Sequence, residues 1–155
     1  MELILKTHSK EETMELGEIV ARHSFPSLII TLDGDLGAGK TTFVKGLASS
    51  LGIKEKVTSP TFNILKCYFV KPLPLYHIDA YRLDMGNKDI GLEEFIEGDG
   101  VCVIEWPNLI QEMILGDTLK INISSLGDDN RLIKFETSLD ELKDLFFDLK
   151  EKYND

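Results

Sequence analysis

The stretch "LIITLDGDLGAGKTTFVKGL", Leu28 to Leu47, decides the fold. It opens on a short apolar, β-branched run, Leu28-Ile29-Ile30-Thr31-Leu32, which suits a strand buried on both faces. A glycine-rich turn follows, and the chain then takes a helical pattern from Lys40 to about Ser50. Strand, bare turn and helix in immediate succession raise a chemical question: what needs exposed backbone in front of Lys40 and two threonines?

Gly34-Asp35-Leu36-Gly37-Ala38-Gly39-Lys40-Thr41 matches G-x-x-x-x-G-K-[ST] at every fixed position, in the strand-to-helix setting that the motif requires. The stretch reads as a P-loop. Successive backbone N–H groups from Asp35 to Thr42 can surround a phosphate, and the positive end of the helix adds to that field. Lys40 supplies an ammonium for β- and γ-phosphates, and the Thr41 hydroxyl suits Mg²⁺, a cation that prefers oxygen ligands. At about 7% glycine usage, the pattern would arise by chance on the order of once in a few hundred chains of this size.

The rest of the composition bounds the answer. A chain of 155 residues falls in the single-domain range, so residues 1–155 are expected to form one P-loop ATPase domain around one core. No apolar run approaches the ~20 residues of a membrane helix, and charges interrupt the apolar patch of "MELILKTHSKEE". No membrane role and a cytoplasmic location are the expectation. Cys67 and Cys102 lie in apolar β-type runs without partners at metal-ligand spacing, and read as reduced core or near-core residues. The net charge of −10 argues against a chain that grips phosphate backbones alone, so any contact with nucleic acid is expected to be indirect.

Along the chain, helix and strand signals alternate without repeats or linkers. Ser9 and Glu12 form a capping box before a helix over about residues 10–24. "TFNILKCYF" and "LPLYHID" form a hairpin across Val70-Lys71-Pro72. "DIGLEEFIE" is a short helix and "VCVIEW" an apolar strand. "DTLKINIS" and "RLIKFETS" alternate with period two around "SLGDDN". Ser138 and Glu141 are expected to cap a final amphipathic helix. The pattern is α/β with a mixed sheet.

A P-loop needs a second acid to hold the metal or its waters, usually at the C-terminal end of a neighbouring strand. Asp79, ending "PLYHID", and Glu105, ending "VCVIE", are the candidates. Their flanks carry a resemblance. "SPTF" at 59–62, "HIDAYRL" at 77–83 and "IEWP" at 104–107, following "GDLGAGKTT", resemble the TsaE family, also called YjeE: bacterial P-loop ATPases of the tRNA threonylcarbamoyladenosine pathway. The resemblance runs from "SKEET" to "VCVIEWP" and weakens after about residue 110.

It implies a three-layer P-loop NTPase-like fold with a mixed, mainly parallel central sheet and antiparallel hairpins. It also implies that Thr41 and Glu105 match the metal-binding positions, that Lys40 acts on the phosphates, and that Asp79 is an essential acid able to position the attacking water. Thr42 would add a hydroxyl near the phosphates. Trp106 resembles a family aromatic beside the metal acid, with a packed core ring as the alternative. Ser59, Thr61, His77, Tyr81 and Arg82 fall in switch-like or partner-contacting segments, although a structural histidine and turn-closing hydroxyls are the commoner roles for such residues. His77 and Asp79 would share a strand face and could hydrogen-bond. Ser9, Lys10 and Arg131 resemble positions that approach adenine.

The resulting expectation is an ATP- and Mg²⁺-binding, slowly hydrolysing switch acting on the TsaB–TsaD heterodimer, with tRNA held mainly by other subunits. A small-molecule or nucleotide kinase would share the loop. Such kinases usually need an arginine-bearing lid, and this chain has only Arg22, Arg82 and Arg131. A nucleotide-gated module with negligible hydrolysis would retain Lys40 and Thr41 while leaving Asp79 dispensable.

Overall fold

The computed structural model describes residues 1–35, 37–58, 64–81 and 91–153. Its strands are β1 (Glu2–Thr7), β2 (Ile29–Asp33), β3 (Leu65–Tyr68), β4 (Leu75–Asp79), β5 (Val101–Glu105), β6 (Leu119–Gly127) and β7 (Asn130–Thr137). Its helices are α1 (Lys10–Arg22), α2 (Lys40–Ser50), α3 (Leu92–Ile96) and α4 (Lys143–Lys152). All seven strands join one sheet in the order β1-β7-β6-β2-β5-β4-β3. The central pairings β6–β2, β2–β5 and β5–β4 are parallel, whereas both flanks are antiparallel. The mixed α/β architecture is therefore present as read from the sequence.

Strand sequence follows strand covering. Leu28, Ile30, Leu32, Val101, Val103 and Leu75 enter a large cluster under α1, α2 and α4. Their neighbours Ile29, Cys102, Ile104, Tyr76 and Ile78 pack on the opposite face against α3 and the 3-10 segment Pro107–Met113. A strand covered on both sides must be apolar throughout, which explains the unbroken runs in β2 and β5. β6 and β7 are covered only on the α1 side. Leu119, Ile121 and Ile123 are buried there, while Lys120, Asn122 and Ser124 face solvent, and the sequence alternates accordingly.

α1 starts with the Ser9 half of the expected capping box, while Glu12 reaches one residue further back than the box requires, to His8. The Ser9 hydroxyl accepts from the Glu12 N–H at 3.1 Å, and Glu12 Oε1 accepts from the His8 N–H at 2.7 Å. The N-terminal cap of the last helix differs from expectation. Ser138 does not cap α4: a 3-10 turn, Asp140–Leu142, precedes the helix without a side-chain cap. Thr137 closes this corner instead, its hydroxyl donating to Thr118 O at 2.8 Å and accepting from Leu139 N at 3.1 Å. The buried hydroxyl of the last strand residue reaches both segments, and the following Ser138 is not needed. β1 is an element that the sequence reading did not assign. It is an edge strand, with Leu5 buried and Ile4 57% exposed, so its apolar pattern is blurred.

Cys67 and Cys102 lie opposite Tyr76 from either side, on β3 and β5. Two strand spacings, about 9–10 Å, separate them, beyond the reach of a disulfide. Burial pushes the Cys102 thiol up to about 12, which keeps it protonated and unreactive.

Candidate functional site

The parallel strands bring the chemistry to one edge. β2 leads into the glycine turn, and its Leu32 pairs with Glu105, the last residue of β5. Glu105 in turn pairs with Asp79, the last residue of β4. Both acids point to the α2 side of the sheet, because they share strand parity with the core residues Val103 and Leu75. They lie at the carboxyl ends of the strands, where open α/β sheets form their binding crevice. Gly34 allows the loop to leave β2 against β6: a Cβ there would stand 2.4 Å from Ile123 O.

Gly39, at φ 104°, opens α2 with no side-chain cap, so the first N–H groups of the helix have no side-chain acceptor. A cleft of about 560 Å³ lies in front of them. Gly37, Gly39, Lys40, Thr41 and Thr42 form one wall, and Asp79, Tyr81, Glu105 and Trp106 form the facing one. Lys10 and Thr13 of α1 and Asp129 and Arg131 of the β6–β7 hairpin complete the rim. A larger concavity, about 720 Å³, covers the open face of β2, β6 and β7 beside Asp33, Lys120 and Lys134, and contains none of the loop residues.

Lys40 is the centre of the cleft electrostatics. Its side chain is 5% exposed, and its Nζ has no hydrogen-bond partner among the described residues. Glu105 Oε1 lies 3.8 Å from Nζ, and the Trp106 ring centroid lies 4.3 Å away. A buried ammonium without hydrogen bonds is costly, and a carboxylate beyond bonding distance plus an aromatic face only partly offset that cost. An anion with free oxygens is the kind of group that such an ammonium can take. Trp106 is held over the lysine by a left-handed backbone, φ 57° and ψ 52°, which costs a non-glycine residue about 1–2 kcal/mol. The ring is partly buried and lies over Nζ, so it is not the fully packed core ring that was the alternative.

Glu105 divides its two oxygens. Oε2 accepts from His77 Nε2 at 2.6 Å, and Oε1 faces Lys40. A carboxylate only accepts, so the imidazole proton sits on Nε2. His77 is wholly buried, and its Nδ1 has no partner among the described residues. The bond that His77 could make to Asp79 on its own strand is not formed: the histidine reaches across to Glu105 on the next strand. Asp79 is 6% exposed, and its Oδ1 accepts from Tyr81 N at 3.1 Å, so it turns the chain as well as facing the cleft. The Tyr81 ring packs on Trp106 at 5.0 Å.

The structure thus assembles Lys10, Gly37, Gly39, Lys40, Thr41, Thr42, Asp79, Tyr81, Glu105, Trp106 and Arg131 in one cleft. Asp35 is exposed outside the cleft lining and closes the loop turn, its carbonyl accepting from Ala38 N at 3.1 Å. The Ser9 hydroxyl is engaged in capping α1. Leu36, Ser59, Thr61 and Arg82 lie outside the described residues. Thr13 and Asp129 were not singled out from sequence. Thr13 carries no motif signal, and Asp129 stands in a turn whose composition says only that it is a turn.

A family profile described as "Threonylcarbamoyl adenosine biosynthesis protein TsaE" matches residues 7–133. The chain belongs to the TsaE family. A relative from Bacillus subtilis (strain 168), named tRNA threonylcarbamoyladenosine biosynthesis protein TsaE, is 48% identical over 130 residues, covering 84% of this chain and 82% of the relative. A protein of the same name from Treponema pallidum (strain Nichols) is 43% identical, over 82% of this chain and 95% of its own. The crystal structure of Bacillus subtilis YdiB superposes with a TM-score of 0.83 at 40% identity, over 99% of this chain and 97% of that one. Among the described residues of this TsaE-family chain, no helix is long and apolar enough to cross a membrane.

Proposed function

We propose that this chain binds ATP with Mg²⁺ in the P-loop cleft and hydrolyses it slowly. In this reading it acts as a nucleotide switch on the TsaB–TsaD heterodimer in tRNA N6-threonylcarbamoyladenosine formation, with tRNA contacted only indirectly. One observation carries the nucleotide part: the buried Lys40 ammonium, without a hydrogen-bond partner among the described residues, at the uncapped start of α2. A polyphosphate chain supplies the oxygens that this ammonium and the loop N–H groups lack. The names of the TsaE relatives support the pathway part.

The donor set fits a magnesium ion. Among the described residues, no three His, Cys, Asp or Glu side chains converge as a metal cluster. Mg²⁺ does not require one, since it is usually held by one or two protein oxygens with phosphates and water completing the shell. The Thr41 hydroxyl and Glu105 carboxylate would hold it. When bound, it neutralises charge on the phosphate oxygens. Lys40 would orient the β- and γ-phosphates, and Asp79 would accept a hydrogen bond from the attacking water and align it. Trp106 and Tyr81 would limit access of bulk water from the facing wall.

The test is phosphate release by the purified protein, alone and with TsaB–TsaD, with ATP, GTP and small-molecule phosphate acceptors. Slow release from ATP, raised by the heterodimer and abolished in Lys40→Ala, is expected. Loss of a charged hydrogen bond of this kind costs about 1.5–3 kcal/mol, so Lys40→Ala should also weaken ATP binding by ~10-fold or more. Phosphate transferred to an acceptor instead of water would make the chain a kinase. Unchanged ATP affinity and turnover in Lys40→Ala would show that the loop is not a nucleotide site.

A further inference from the structure

The guanidinium of Arg131, near the start of β7, is spent on backbone carbonyls. Its Nε donates to Ala38 O at 2.8 Å, and Nη2 reaches Gly37 O at 3.5 Å. Its Nη1 donates to Asp128 O at 2.7 Å and Asn130 O at 2.9 Å in its own hairpin turn, with Ser125 Oγ at 3.4 Å. The side chain lies flat enough over the loop that a Cβ on Gly39 would come within 3.3 Å of Nε. One planar group therefore ties the hairpin turn to the centre of the glycine loop.

We infer that Arg131 is a positioning residue of the P-loop, bracing its outer side so that its N–H groups are already aimed when phosphate arrives. A trans peptide carries its C=O and N–H on opposite sides, so anchoring Ala38 O fixes the direction of the Gly39 N–H. Gly37 and Gly39 both hold positive φ, and glycine alone leaves such a loop many conformations of similar energy. Five donors in a rigid fork select one of them from a strand that the sheet holds in place, which a flexible lysine ammonium does less well. Binding is then tighter because less ordering remains to be done. The consequence for ligands rests on the nucleotide reading, whereas the bracing itself does not.

Two measurements on wild type, Arg131→Ala and Arg131→Lys separate these. The first is amide hydrogen exchange in the nucleotide-free protein. Faster exchange confined to the segment around Gly37–Gly39 in Arg131→Ala, with partial recovery in Arg131→Lys and unchanged protection in β2 and α2, is expected; equal exchange in all three would overturn the inference. The second is calorimetry with ATP, ADP, GTP and inorganic tripolyphosphate. Arg131→Ala should weaken all four by a common factor on the order of 10-fold, because the brace acts on the loop and not on the base. An effect on ATP or on the ATP/GTP ratio with tripolyphosphate unaffected would overturn the inference in favour of a direct base contact. Wild type that bound none of the four, with the exchange result as expected, would overturn the nucleotide reading and leave the brace standing.

Discussion

At the residue scale, the division of labour between two carboxylates depends on their neighbours. Glu105 is oriented by His77 on one oxygen and faces Lys40 with the other, whereas the Asp79 carboxylate turns the backbone at Tyr81. On the proposed function, Glu105→Gln keeps the shape and removes charge, so more Mg²⁺ should be needed for half-maximal ATP binding. Asp79→Asn should leave binding near wild type and suppress turnover. His77→Leu leaves the buried Glu105 without its donor, a loss of about 1.5–3 kcal/mol, and should shift the Mg²⁺ midpoint in the direction of Glu105→Gln. His77→Gln, whose amide can still donate to Oε2, should restore much of it. Mg²⁺ titrations of ATP binding with parallel turnover assays test the set; a histidine that only fills space would lower thermal stability in both variants and leave the midpoint alone.

At the element scale, α2 carries the loop lysine and both threonines, and its position is set by contact with α1. Gly17 and Gly46 face each other's helices so closely that a Cβ on Gly46 would stand 1.9 Å from Met14 O, and one on Gly17 2.2 Å from Phe43 O. Alanine is worth about 1 kcal/mol more than glycine in an ordinary helix interior, so glycine here is a packing requirement. Gly46→Ala must separate the helices, and overpacking of this kind costs about 1–3 kcal/mol. Thermal melts should show a fall of about 2–4 °C per kcal/mol lost, with weaker ATP binding as α2 shifts; an unchanged or raised midpoint would mean that the helices separate freely. The same scale shows what the sequence makes legible. β2 and β5 are readable because both faces are covered, β6 and β7 because one is, and the loop because its glycines and lysine recur at fixed spacing. β1 is hard to read because an edge strand with Ile4 exposed keeps little periodicity. The left-handed turn at Trp106 is invisible since no glycine or asparagine marks it, and with it the approach of the ring to Lys40. The His77–Glu105 bond and the Arg131 brace join residues 28 and 93 positions apart, distances at which only strand order decides who meets whom.

At the scale of the whole molecule, a net charge of −10 argues against a chain that holds RNA by itself, and on the proposed function it acts through a partner. A switch transmits its state only if a partner binds one form better, because a ligand shifts an equilibrium by no more than its differential affinity. On the proposed function, ATP and TsaB–TsaD should therefore bind cooperatively. Linkage makes the factor equal in both directions, and coupling of common size, about 1–3 kcal/mol, corresponds to roughly 5–150-fold tightening. Tyr81 is placed to carry part of it: it is 48% exposed, its ring rests on Trp106 above Lys40, and its N–H is bonded to Asp79. A partner that covers this ring touches the wall of the cleft. Calorimetry of the chain with TsaB–TsaD in ATP, in ADP and without nucleotide should give three different affinities, tightest with ATP. Tyr81→Ala should narrow the spread while changing the affinity for ATP alone by much less. Identical affinities in all three states would remove the switch, and a spread unaffected by Tyr81→Ala would place the coupling elsewhere on the surface.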